Sequence, residues 1–301
     1  MKLEPSISYD EYSFLKTTIT IGDKGDEQME QSKSSEMIEI ASDWRSEISD
    51  HPNGGYIAKG LTKYGFHGRY DEKRYAIFQV KEIRANSREN EADLRGELLL
   101  LAYGHYFLNS FKKRAEVSAC KLPFEISWNY SGAFLGTVTN FKPPTAAGHR
   151  ESLYFDTFLA IPYLDLSSGT ERKFSGGAEA GNHDAHDVVG RWMDAYAHHV
   201  LEDSSEYLVL TDLQGAVFNP ARVVLFDPQG HTSLEDSGFW DKGTEGIEQW
   251  KQQHKCKSLC QKLGLTLISP PKASKKSKAT TSRRSNSTLV LSSSKSPKKA
   301  D

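Results

Sequence analysis

Leu210-Thr211-Asp212-Leu213-Gln214-Gly215 and, shortly after it, Leu225-Phe226-Asp227-Pro228 are the residues on which the reading of this chain turns. Between them Asn219-Pro220-Ala221-Arg222 has the composition of a turn. A hairpin centred between Pro220 and Ala221 sets Gln214 opposite Asp227, with their Cβ atoms about 4.5–5.5 Å apart on one face. Asp212, two residues from Gln214, points to that same face. An amide and a carboxylate so placed suit a hard cation such as Mg²⁺, which takes oxygen ligands and keeps waters and substrate phosphates. Asp212 beside them is positioned to accept a proton from an attacking hydroxyl. The plainer reading is an ordinary hairpin with polar residues at its open end. A slip of one residue turns Asp227 to the other face.

Downstream lies His254-Lys255-Cys256-Lys257-Ser258-Leu259-Cys260, which holds two of the chain's three cysteines. Residues 246–263 carry Ile247, Trp250, Leu259 and Leu263 at spacings that predict a helix. On it Cys256 and Cys260 share a face, whereas His254 and Cys256 point apart. A common metal therefore requires a bend in the chain there. Thiolates and imidazoles suit tetrahedral zinc, and the upstream candidates for a fourth ligand are His183, His186, His198 and His199. The alternative is a helix with two half-buried cysteines and a surface histidine. A closed four-ligand site would be structural, not catalytic.

Working outward, residues 75–80 and 207–211 read as strands, as do 155–164, while apolar spacing predicts a helix over 91–111. Strands first, then helices mixed with strands, indicate an α+β fold. Thr17-Thr18-Ile19-Thr20-Ile21 suits a short strand, and the polar run 25–35 suits a loop. The organisation expected is an N-terminal extension (1–55), a folded domain (56–268) and a disordered basic tail (269–301). From Pro271 onward there are nine basic residues and one acid, so the tail carries +8 of a net charge of −2 and the rest of the chain −10. Such a tail is a nuclear-import address, a nucleic-acid contact, a substrate-docking arm or a plain solvated extension. It lacks interleaved aromatics for base stacking. The three cysteines exclude a disulfide framework, and no apolar run approaches the ~20 residues of a membrane span. The expectation is an intracellular protein, cytoplasmic or nuclear, with no membrane partner.

Taken together, Asp212-Leu213-Gln214-Gly215, Asp227-Pro228-Gln229 with His231, residues 243–247 and His254-x-Cys256-x-x-x-Cys260 resemble the catalytic domain of the alpha-kinases, atypical protein kinases. The likeness is closest over 195–265 and looser back to Tyr56. It implies a two-lobed, kinase-like α+β fold with a zinc-stabilised C-terminal lobe, ATP and Mg²⁺ as cofactors and protein serine or threonine as substrate. It assigns Asp212 a catalytic role, and Gln214 and Asp227 to magnesium. It gives zinc His254, Cys256, Cys260 and an upstream histidine. His198, fourteen residues before Asp212, fits that role, with His199 as the fallback. Lys81 is implied as the contact to ATP phosphates, Glu97 as its orienting partner by analogy with the Lys–Glu pair of ordinary kinases, and Lys173 as a second lysine near the phosphates.

The sequence departs from the family pattern in places. Residues 158–164 supply no hinge glutamate, Ser175 and Gly176 stand where asparagines are common, and the glycine loop (Gly238, Gly243, Gly246) is degenerate. Neither His-Arg-Asp nor Asp-Phe-Gly of ordinary kinases is present. Two rival readings follow: a pseudokinase scaffold that binds nucleotide without turnover, and a zinc-containing module that binds nucleic acid through the tail.

Overall fold

The computed structural model describes residues 7–42, 55–59, 62–81, 85–143, 152–219 and 221–268. The tail 269–301 and Pro220 lie outside the described residues. The β-branched run near residue 20 belongs to a much longer strand, β1 (Tyr9–Ile21). Its length lets it pair in succession with β3 (Glu36–Ala41), β8 (Phe134–Val138) and β2 (Glu27–Gln31). β5 (Lys63–Tyr70), β6 (Lys73–Val80) and β9 (Thr157–Pro162) lie between β3 and β8. The order β1-β3-β5-β6-β9-β8 therefore returns to β1 as a closed antiparallel ring, with β4 (Tyr56–Lys59) added on β5. Closure leaves few free edges to pair with other chains. Phe14, Ile38, Ile40, Phe66, Ile77, Phe134 and Phe158 form one buried cluster of this ring.

Two expectations are corrected here. Within the stretch expected as an N-terminal extension, β1 and β3 are ring strands and β2 pairs with β1. The polar run 25–35 contains β2, whose five residues are all exposed. Its ladder to β1 needs no buried face, so no apolar alternation marks it.

The predicted helix extends over α1 (Ser87–Val117), whose N-terminus is fixed by a capping box between Asn86 and Glu89. Its buried residues include Leu94, Leu98, Leu101, Leu108 and Phe111. One side of α1 packs on β1, β6 and β9 of the ring. The other side packs on α2 (Val188–Asp203), β7 (Glu125–Trp128) and β14 (Gln229–Thr232). α1 is thus the shared wall between the ring and the C-terminal half. There β10 (Gly169–Lys173), β12 (Gln214–Phe218), β13 (Arg222–Phe226) and β7 form a four-stranded sheet. β11 (Leu208–Thr211) pairs with β14. A buried relay fixes α1 to α2: Trp128 Nε1 donates to Tyr196 Oη (3.0 Å), which donates to the Gly104 carbonyl (2.7 Å).

The helix expected over 246–263 is two helices, α3 (Gly243–Gln253) and α4 (Ser258–Lys262), because His254 leaves helical geometry at φ −64°, ψ 129°. The mixed α+β architecture agrees with the sequence. Among the described residues no helix is long and apolar enough to cross a membrane.

Candidate active site

The β12–β13 hairpin pairs Gln214 with Phe226 and Phe218 with Arg222, leaving three residues in its loop. The expected register, with Gln214 opposite Asp227, is therefore off by one, since it assumed a two-residue connection. The side chains converge nonetheless. Asp227 follows the end of β13 in the left-handed region (φ 49°). That twist returns its carboxylate to Gln214, whose Nε2 donates to Asp227 Oδ2 at 2.8 Å. Asp212 has the same conformation (φ 48°) in the step from β11 to β12. Asp tolerates this region better than most residues.

Asp212 is held on the backbone by a hydrogen bond from its N–H to the Gly176 carbonyl (2.9 Å). Leu213 N–H donates to Ser175 Oγ (2.9 Å), so the serine that departs from the family pattern pins the loop that carries Asp212. Lys173 sits beside Gln214 in the β10–β12 ladder and forms an ion pair with Asp212. The pair is not aligned as a hydrogen bond, so the buried Asp212 Oδ1 has no hydrogen-bond donor among the described residues.

These groups open into a cleft of about 300 Å³ lined by Lys63, Val80, Glu97, Asp212, Gln214, Asp227, Phe239 and Trp240. Glu97 projects from α1 as expected, but its partner is Lys63, with which it forms an ion pair. Lys63 Nζ also lies 3.3 Å from Asp227 Oδ1. Burial and the neighbouring Asp227 charge push the Glu97 carboxyl up, with the Lys63 ammonium opposing them. Burial works against the Lys63 charge, but Glu97 and Asp227 outweigh it and hold that amine above the ordinary lysine range.

Lys81 is not among the cleft-lining residues. It is buried, with its ammonium 5.5 Å from the centre of the Tyr64 ring. The reason is strand alternation: Val80 faces the cleft, so Lys81 follows Gln79 to the other side. The cleft lysine on β5 escaped the sequence reading because Gly65 and Gly68 interrupt its strand pattern. Gly68 is there for contact, since a Cβ would meet Ile77 at 2.6 Å.

The rim that carries Phe239 and Trp240 is set by Asp241. This carboxylate accepts hydrogen bonds from Thr232 Oγ1 (2.7 Å), Ser237 Oγ (2.7 Å) and Gly243 N–H (2.8 Å). His231 bridges this rim to the Asp212 loop, lying 3.0 Å through Nε2 from the Gly177 carbonyl and accepting Lys242 N–H at Nδ1 (3.2 Å).

The break after α3 brings together the second cluster. His198, His254 and Cys260 are buried and place ligand atoms within 4.8 Å of one another. Cys256 Sγ is 3.7 Å from His198 Nδ1, and Cys260 Sγ is 3.8 Å from His254 Nε2. Nitrogen and sulfur ligands on a tetrahedral zinc lie about 3.3–3.8 Å apart, so the donor set fits such an ion. His254 stacks on Trp250 at 4.7 Å. Among the other candidates, His199 turns to Ser110 Oγ (2.7 Å), and His183 pairs with Asp194 (2.9 Å).

Burial, then the neighbouring His198 and Lys257, pushes the His254 imidazole down to about 3 in the metal-free chain. Burial lowers His198, His199 and His231 as well. These groups bind protons more readily unfolded than folded. Their contribution is therefore complete above about pH 6.5 and is lost as pH falls toward the folded value. His254 alone should cost about 2 kcal/mol between pH 7 and pH 5. Urea midpoints in chelator at the two pH values check this; equal midpoints would contradict it.

A model of the alpha-kinase family matches residues 58–260. The chain belongs to the alpha-kinase family. Alpha-protein kinase 1 of Dictyostelium discoideum is 35% identical over 85 residues, covering 28% of this chain and 6% of that protein. Myosin heavy chain kinase B of the same organism is 29% identical over 136 residues, 44% of this chain and 18% of that protein. The alpha-kinase thus spans less than a fifth of these curated relatives' length. Among solved structures, an alpha-kinase from Entamoeba histolytica has a TM-score of 0.58 at 16% identity, covering 88% of this chain and 94% of that one. The alpha-kinase domain of myosin heavy chain kinase A, solved in complex with ADP, has a TM-score of 0.54 at 14% identity, covering 87% of this chain and 99% of that one. At these identities the likeness speaks for the fold.

Proposed function

We propose that this alpha-kinase is an ATP- and Mg²⁺-dependent protein serine/threonine kinase. The observation that carries the reading is the meeting of Asp212, Gln214 and Asp227 in one cleft. Gln214 and Asp227 would hold magnesium, which neutralises phosphate charge when bound. Asp212 accepts the proton of the substrate hydroxyl as its oxygen bonds to the γ-phosphorus. The bond from that phosphorus to the β–γ bridging oxygen breaks, and ADP leaves with the electron pair. Little covalent chemistry falls to the protein, so its work is positioning and charge neutralisation. His198, His254, Cys256 and Cys260 would hold zinc as a structural ion. That neighbouring alpha-kinase structures were solved with ATP and ADP supports nucleotide as the ligand.

The test is transfer of labelled γ-phosphate to a generic basic protein, with and without Mg²⁺. Magnesium-dependent labelling of serine or threonine is expected. A second reading, nucleotide binding without turnover, is favoured by the placement of Lys81 away from the cleft. Nucleotide binding with no labelling would select it.

A further inference from the structure

We infer that His231 is a positioning residue for the phosphoryl-transfer step, holding the Asp212 loop through Nε2 and the aromatic rim of the cleft through Nδ1. The inference rests on the kinase reading above and deepens it by naming what keeps the catalytic carboxylate in place.

The two hydrogen-bond partners fix the tautomer. His231 is buried and lies on β14 opposite Val209 of β11. The Lys242 N–H can only donate, so Nδ1, 3.2 Å away, carries no proton. The proton is therefore on Nε2, which donates to the Gly177 carbonyl at 3.0 Å. Asp241 Oδ1 lies 3.8 Å from Nδ1, too far for a hydrogen bond. Both ring nitrogens are thus engaged, in the one neutral form these partners accept.

The Nε2 bond reaches the catalytic loop. Residues 174–177 form a cradle for Asp212 and Leu213. Phe174 N–H donates to the Leu213 carbonyl (2.7 Å), Leu213 N–H donates to Ser175 Oγ (2.9 Å), and Asp212 N–H donates to the Gly176 carbonyl (2.9 Å). His231 anchors the next residue, Gly177, to β14. The approach is close, since a Cβ on Gly177 would meet Gln229 Oε1 at 3.3 Å. Beyond its ion pair with Lys173, Asp212 Oδ1 has no hydrogen-bond donor among the described residues. The anchoring of its backbone therefore decides where the carboxylate points.

The Nδ1 bond reaches the rim. Lys242 follows Asp241, the carboxylate that gathers Thr232, Ser237 and Gly243, and immediately precedes α3. The same ring thus holds the segment that carries Phe239 and Trp240. Packing leaves it no room to turn, because a Cβ on Gly246 of α3 would meet His231 Cδ2 at 2.3 Å. One glycine of the degenerate glycine loop is accounted for in this way by the seat of an imidazole.

The two amides separate the two bonds. Asparagine sets an acceptor near the place of Nδ1, and glutamine sets an N–H donor near the place of Nε2. A histidine that only filled space between β14 and α3 would be replaced equally by either. The test is steady-state transfer of labelled γ-phosphate by the full chain to a generic basic protein with Mg²⁺, each variant assayed below the onset of its own melting curve. In His231→Asn, which loses the donor to Gly177, kcat should fall about 10–100-fold with KM for ATP within about threefold of wild type. In His231→Gln, kcat should recover to within about threefold of wild type, while KM for ATP rises about three- to tenfold as the rim loosens. Gly246→Ala drives a methyl group into the ring without removing a polar group, and should also lower kcat. Equal kcat in His231→Asn and His231→Gln, whether both normal or both impaired, overturns the inference. So does an unmoved KM for ATP in His231→Gln. If His231→Asn does not fold, a loss of kcat in folded His231→Gln overturns it alone. In all these cases transfer by the wild type leaves the kinase reading standing. No transfer by the wild type removes both.

Discussion

Asp212→Asn should lower kcat for phosphoryl transfer by about 10²–10⁴-fold while leaving nucleotide affinity and melting temperature nearly unchanged. Asparagine is the informative replacement because it tolerates the left-handed backbone at this position (φ 48°). Alanine there would add backbone strain of about 1–2 kcal/mol to the lost chemistry. The amide keeps the volume of the carboxylate, and the backbone bond from residue 212 N–H to the Gly176 carbonyl is untouched. What it loses is the ability to take the hydroxyl proton. The former partner, Lys173, has a side chain 58% exposed, so water solvates its ammonium when the ion pair is gone. Stability should therefore move by less than about 1 kcal/mol. A loss of kcat with unchanged KM for ATP separates a role in the transition state from one in binding. Full activity in Asp212→Asn would remove Asp212 from the mechanism, and an equal loss of nucleotide affinity would make it a binding residue.

How far the sequence led depended on what kind of physical rule was at stake. Periodicity marked α1 because an amphipathic stripe is a property of one segment alone, and Leu94, Leu98 and Leu101 carry it. It also marked β6 and β11, whose residues are mostly buried. It missed β2, whose residues are all exposed, and the full length of β1, most of whose residues are only half-buried. Ring closure was illegible because it depends on Phe14 to Thr17 meeting Val138 to Leu135, a pairing across more than a hundred residues that no local pattern encodes.

The candidate site shows the same division. Asp212, Gln214 and Asp227 were found through the hairpin, yet the register was one residue off. The convergence survived because two left-handed aspartates bend the chain ends back, and propensity gives that only a weak signal. The direction of Lys81 was determined by the parity of a strand boundary. A lysine at the end of a strand faces one side or the other by a single residue, and only the partner strand decides which. Lys63 offered no signal at all: its importance comes from Glu97 and Asp227, which lie 34 and 164 residues away.

Removing zinc should cost the C-terminal half more stability than any single cleft substitution. Without an ion, the cluster is left with sulfur–nitrogen contacts of 3.7 Å between Cys256 and His198 and 3.8 Å between Cys260 and His254, and His254 Nδ1 has no partner among the described residues. Burial also pushes the Cys260 thiol up to about 11, so it stays protonated until a cation displaces the proton. A metal present at a thousand times its Kd stabilises the folded state by about 4 kcal/mol. In a domain of this size that corresponds to roughly 8–16 °C in melting temperature. One zinc per chain by elemental analysis is therefore expected, with a fall of that order on chelation. Cys260→Ser should lose the metal and melt like the chelated protein, whereas Cys120→Ser, outside the cluster, should keep both metal and stability. The break between α3 and α4 gives the experiment a local readout. His254 leaves the helix so that its ring stacks on Trp250, and a zinc ion held by the cluster would join that turn to His198 on α2. Loss of the ion should therefore change Trp250 fluorescence at temperatures where the strand ring remains folded. A chain that binds no zinc and melts identically with and without chelator would show that the bend is held by packing of Trp250 and Leu259 alone.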